Sequence, residues 1–93
     1  MTTEVVRNDA ASRFEAMVDG ELCVLAYRLG DGLLVIDHVI VPYAAGGRGI
    51  AAELTRTALD AARANGWRVV PNCSYAAAWI ERHPEYRDLL NRA

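Results

Sequence analysis

Val39-Ile40-Val41-Pro42-Tyr43-Ala44-Ala45-Gly46-Gly47-Arg48-Gly49-Ile50-Ala51 decides the reading of this chain. Apolar, mostly β-branched residues run as a strand into Pro42. A loop of small residues follows, and a helical pattern begins near Arg48. That order sets several backbone N–H groups at a helix N-terminus with few side chains in the way. The first turn of a helix has unpaired donors and a partial positive charge, so an anion is the expected guest. Gly46, Gly47 and Gly49 can adopt positive φ and let a ligand approach the main chain. A phosphate or pyrophosphate fits this description, while the competing reading is a tight turn with no ligand. Two phosphate loops are excluded. There is no Gly-Lys-Ser/Thr ending, and the spacing Gly46-Gly47-x-Gly49 is not the dinucleotide-binding fingerprint.

Upstream, the pattern is extended. Thr3 to Arg7 alternates weakly and predicts a short first strand, with Asn8-Asp9 as a turn signal. Phe14, Ala16 and Val18 alternate with Arg13 and Glu15 over a second strand, Arg13 to Val18. Asp19-Gly20 is a strong two-residue hairpin signal, and Glu21 to Leu29 is the returning strand. Gly30-Asp31-Gly32 makes a second turn into Leu33 to Val41, the most apolar segment and the one expected at the centre of the sheet. Four strands in an antiparallel meander follow from this spacing.

Downstream, the period is helical from Arg48 to Asn65. Ile50, Leu54, Ala58 and Ala61 share one face; Glu53, Arg56, Asp60 and Arg63 share another, read as a solvated face with room for ion pairs along it. Asn65-Gly66 ends the helix. Trp67 to Asn72 predicts a fifth strand, parallel to the fourth after a helical crossover. Pro71 cannot donate to the ladder, so the fourth and fifth strands are expected to part there, leaving a wedge beside the glycine loop. Ser74 or Asn72 can cap a helix from Tyr75 to Arg82. Pro84 breaks it and starts a last short turn or helix through Leu90. The expected order is β-β-β-β-α-β-α-α.

Length and composition bound what such a chain can do. Ninety-three residues make one domain with a modest core, and a 53% apolar content argues against disorder. A net charge of −2 with no basic run gives no reason to expect nucleic acid. No apolar run approaches the roughly 20 residues that span a membrane, and the polar start Met1-Thr2-Thr3-Glu4 is unlike a signal peptide. Cys23 and Cys73 lie far apart, with no metal-ligand spacing and no disulfide framework. A reducing cytoplasmic setting is the expectation.

The glycine stretch resembles the acyl-CoA loop of the GCN5-related N-acetyltransferases, whose motif reads Arg/Gln-x-x-Gly-x-Gly/Ala after a strand ending in Val-x-Pro. Gly49-Ile50-Ala51 matches the Gly-x-Ala part, and Arg48 is the usual basic neighbour. Gly46 stands where the family has Arg or Gln. A second stretch, Pro71-Asn72-Cys73-Ser74-Tyr75, then Trp79-Ile80, then His83-Pro84-Glu85-Tyr86, looks like the tail of the short acetyltransferase-like proteins of the YjdJ type. The resemblance covers roughly residues 3 to 90.

It implies a compact α/β (α+β) acetyltransferase-like domain without the helices that usually follow the first strand, its acceptor side open or completed by a partner. It implies acetyl-CoA or CoA as cofactor, with pyrophosphate on the amides of Gly46, Gly47, Arg48, Gly49, Ile50 and Ala51. The pantetheine arm would pair like a strand with Val39, Ile40 and Val41. An acetyl group would pass to an amine acceptor, small molecule or protein. A non-enzymatic CoA-binding or protein-interaction module is the alternative.

Cys73 is the first candidate for chemistry. It precedes a helix, whose N-terminus favours a thiolate, and in the short relatives this cysteine is the suspected nucleophile or acyl carrier. The other reading is a small packed residue. Cys23, mid-strand, reads as core. His38 is a candidate general base, against the commoner structural histidine. Asp37 and Glu21 are further bases if they share a face. His83 reads as a turn or cap residue, with an approach to the cofactor as the alternative. Tyr75 and Trp79 share a helix face, to pack that helix or to cover the pantetheine arm.

Overall fold

The computed structural model describes residues 3–91. Met1 and Thr2, on which the signal-peptide expectation partly rests, lie outside the described residues. Five strands form one sheet: β1 (Val6–Asn8), β2 (Arg13–Val18), β3 (Glu21–Gly30), β4 (Leu33–Ile40) and β5 (Arg68–Pro71). Two α-helices follow the meander, α1 (Ile50–Asn65) and α2 (Ser74–Glu81), with 3-10 turns at Tyr43–Ala45 and Pro84–Leu89. The spatial order is β1-β2-β3-β4-β5, antiparallel except for the parallel pair β4–β5. The predicted α+β order is therefore the observed one. The middle strand is β3, however, and β4 is the strand next to it.

Local chemistry accounts for the boundaries. Asp19-Gly20 and Asp31-Gly32 each place both residues at positive φ, the two-residue turn whose twist suits a hairpin. The first strand is shifted from its expected place. Asn8 extends the ladder opposite Arg13, and its side-chain oxygen accepts the Ala11 N–H at 3.1 Å, so the turn begins one residue later. Helix α1 starts at Ile50, not Arg48, because Gly49 sits at φ 73°. Gly66 closes the helix at φ 71°.

Register assigns the faces. Phe14 lies opposite Leu25, Ala16 opposite Cys23, and Tyr27 opposite Ile36. These side chains, with Leu34 and Val69, pack against Ile50, Leu54, Ala58, Leu59 and Ala62 of α1 and Ala76, Trp79 and Ile80 of α2 in one cluster. Burying a Leu of this kind contributes roughly 1.5–3 kcal/mol. The stripe on α1 runs to Ala62, with Ala61 only partly buried. The other face of the sheet carries no helix among the described residues. Val6, Met17, Leu22 and Ile40 stay exposed there. No described helix is long and apolar enough to cross a membrane.

The charged side of α1 is not simply solvated. Asp60 accepts the Tyr86 hydroxyl at 2.7 Å. Arg63 binds Asp88 through two bonds of 2.9 Å, and Arg56 stands over Trp79. These charges hold the C-terminal segment onto the helix, and no ion pair forms along α1 among the described residues.

Candidate acyl-CoA site

A cleft of about 760 Å³ opens between the end of β4, the turn at Tyr43–Ala45, the start of α1 and the start of α2. Val41, Tyr43, Gly47, Gly49, Ile50 and Tyr75 are among its walls. Gly47 and Gly49 lie at φ 77° and 73°, and a Cβ on either would meet nothing within 4 Å. The space beside the main chain is thus open to a ligand. Gly46 is extended at φ −71°, so only two of the three loop glycines use the left-handed region. Its Cβ would stand 3.2 Å from the Tyr43 carbonyl oxygen, a tight fit for the family's Arg or Gln.

The first bond of α1 runs from the Glu53 N–H to the Gly49 carbonyl at 3.0 Å. No side chain caps the helix among the described residues. The amides of Ile50, Ala51 and Ala52 therefore have no helical acceptor, and these three residues line the cleft. Among the described residues that line it, none carries a formal charge. Backbone donors and the helix dipole are what this site offers an anion.

Beside this loop the sheet splits. The last β4–β5 pair is Ile36 with Pro71. Asn72 and Cys73 then both donate to the Ile36 carbonyl, at 3.0 and 3.1 Å. Beyond Ile36, β4 pairs only with β3 among the described residues. The parting expected beside Pro71 is present; of Val39, Ile40 and Val41, Val41 lines the cleft and the other two do not.

The model of the GCN5-related N-acetyl-transferases matches residues 13–89. The chain belongs to that family. It is similar to the solution structure of a GCN5-like candidate N-acetyltransferase from Staphylococcus aureus, at 26% identity and TM-score 0.75, over 97% of this chain and 89% of that one. It is also similar in fold to a ribosomal-protein-alanine N-acetyltransferase from Brucella melitensis, at 23% identity and TM-score 0.54, over 94% and 68% of the two chains. No curated protein matches. Neither the family description nor these structures name the YjdJ-type subgroup.

In this GCN5-related chain the remaining candidates are dispersed. Arg48 does not line the cleft. Its guanidinium pairs with Asp19 of the β2–β3 turn and borders a second hollow with Met17 and Leu22. Cys73 is the N-cap residue of α2 and half-buried; its neighbour Tyr75 reaches the cleft wall, but the cysteine does not. Cys23 is fully buried, and burial, helped by the Glu21 charge, pushes its thiol pKa up.

A β-bulge explains the polar group at the split. Ala26 opposes His38 and Tyr27 opposes Ile36, leaving Asp37 as an extra residue. His38 is therefore exposed on the open face of the sheet, with Ile40, while Val39 and Val41 pack toward the core. Asp37 takes two bonds of 2.8 Å from Arg28. Arg28 holds its carboxyl below the usual range against the opposing effect of desolvation, which makes it a poor proton acceptor. Glu21 opens β3 opposite Val18, away from Asp37, so the two acids do not form a pair. His83 stacks on Trp79 at 3.7 Å between centroids, and its Nδ1 lies 2.7 Å from the Trp79 carbonyl oxygen. Tyr75 and Trp79 divide their shared face between cleft and core.

Sequence reasoning missed Tyr43 as a wall of the cleft and Asp37 as the bulge. The signal for Tyr43 is a lone aromatic in a run of small residues. No sequence signal marks the bulge.

Proposed function

We propose that this chain binds acetyl-CoA in the glycine-loop cleft and transfers the acetyl group to an amine. The observation that carries this reading is the adjacency of two unpaired backbone surfaces: the uncapped start of α1 and the free edge of β4 beyond Ile36. Of the expected amides from Gly46 to Ala51, that of Gly46 is already bonded to the Tyr43 carbonyl; those of Gly47 to Ala51, with Ala52, would hold the pyrophosphate. The main chain at Val39, Ile40 and Val41 would orient the pantetheine arm, and an amide there would stabilise the developing oxyanion. Bound acetyl-CoA supplies an acyl group already activated as a thioester. His38 would accept the amine proton from the open face, and Cys73, at the wedge, would carry the acyl group or border it. Two cysteines free of disulfides suit a reducing, cytoplasmic setting.

Titration with acetyl-CoA followed by thermal unfolding tests the binding. At 100 times its dissociation constant the ligand should stabilise the fold by about 2.7 kcal/mol; an unchanged melting temperature at saturating ligand refutes the site. Release of free CoA that depends on an added amine tests the transfer.

A CoA-binding module without turnover is the second reading. It is favoured by the exposed position of His38, the engagement of Asp37 by Arg28, and the absence of Cys73 from the cleft walls. Tight binding with no amine-dependent CoA release, across a panel of small amines and peptide N-termini, decides for it.

A further inference from the structure

We infer that Tyr43 is a stacking platform for the nucleobase of the bound ligand, an inference that rests on the acyl-CoA reading of the cleft. Tyr43 is 101% exposed, whereas Tyr27 is buried and Tyr75 and Tyr86 are half-buried. Its ring is therefore covered by none of the described residues, yet its backbone is held. The Tyr43 carbonyl accepts the Gly46 N–H at 3.0 Å, and the Pro42 carbonyl accepts the Ala45 N–H at 2.9 Å. Ala45 is fully buried and anchors the turn. A fixed main chain carrying a free aromatic ring is a preorganised surface for a flat partner.

The position of the ring selects that partner. Tyr75 and Tyr43 both line the cleft. Tyr75 follows Cys73 at the wedge, where the acyl end would enter, and Tyr43 stands at the solvent lip. The uncharged lining supplies no cation to hold a ligand beyond its diphosphate. A diphosphate on the α1 amides leaves its nucleoside to emerge at the lip, beside the ring. Stacking on an aromatic side chain is indifferent to the cationic groups that are missing here.

Calorimetric titration of the intact protein with CoA, dephospho-CoA and 4′-phosphopantetheine tests this. Tyr43→Ala should weaken CoA and dephospho-CoA alike, by roughly tenfold, and leave phosphopantetheine, which has no base, unchanged. Tyr43→Trp should restore the affinity. CoA affinity that survives Tyr43→Ala, or an equal loss for phosphopantetheine, overturns the stacking role while leaving the cleft assignment intact. A wild-type protein that binds none of the three refutes the cleft assignment and this inference together. Tyr43 is exposed, so unfolding of the variant is not expected; its circular dichroism and melting temperature should match the wild type.

Discussion

The amide of Cys73 donates to the carbonyl oxygen of Ile36 at 3.1 Å, and this bond marks where β5 leaves β4. Asn72 shares the same acceptor. The cysteine is thereby fixed between the split sheet and the first turn of α2, half-exposed, while Cys23 is sealed in the core.

Alkylation followed by peptide mapping should therefore label Cys73 much faster than Cys23 in the folded protein. Burial raises the Cys23 thiol pKa and blocks access, and only thiolate reacts. Saturating CoA should slow the labelling of Cys73. Equal rates for both thiols, with or without CoA, would contradict this geometry.

Gly49→Val should abolish CoA binding. At φ 73° a β-branched side chain costs on the order of 1–2 kcal/mol, and it would stand beside the amides that receive the anion. Gly66→Val is the control, with a similar φ at the other end of α1. It should cost comparable stability and leave affinity unchanged. Equal losses of binding in the two variants would mean that helix stability, not the loop, is being measured.

Arg48→Ala should change CoA affinity by less than about fivefold, the range of an exposed ion pair. The side chain is engaged by Asp19 and lies off the cleft. Complete loss of binding would make it a principal ligand after a rearrangement of that pair.

Asp37→Asn should flatten the loss of stability in acid. Arg28 lowers the Asp37 pKa in the folded state. The associated stability is fully present above the unfolded value of about 3.9. It is lost as pH falls through the lower folded value. Glu15 and Asp88 are lowered in the same sense by Arg13 and Arg63, so the variant should remove only part of the slope. Urea midpoints between neutral pH and strong acid measure it; an unchanged slope would show that the Arg28 pair contributes nothing.

Leu54→Ala should destabilise by about 2–5 kcal/mol, since Leu54 is fully buried and its loss leaves a cavity. A loss below 1 kcal/mol, read from denaturant midpoints at constant slope, would place α1 differently on the sheet.

The strands, the two Asp-Gly turns, the helix and the glycine loop were legible because each rests on local chemistry: alternation, a 3.6-residue period, and residues that tolerate positive φ. The parting of β4 and β5 was legible too, because Pro71 lacks an N–H. What the tertiary structure decided is which side chains these elements present to one another. The bulge at Asp37 depends on register against β3, and it sends Asp37 and His38 to the open face. Arg48 turns from the cleft because the β2–β3 turn places Asp19 beside it. The charged face of α1 is occupied because the C-terminal segment folds back to supply Trp79, Tyr86 and Asp88. Local sequence sets backbone conformation within a few residues. Partners drawn from distant segments exist only once the chain has closed on itself, and they hold the charged side chains away from the cleft.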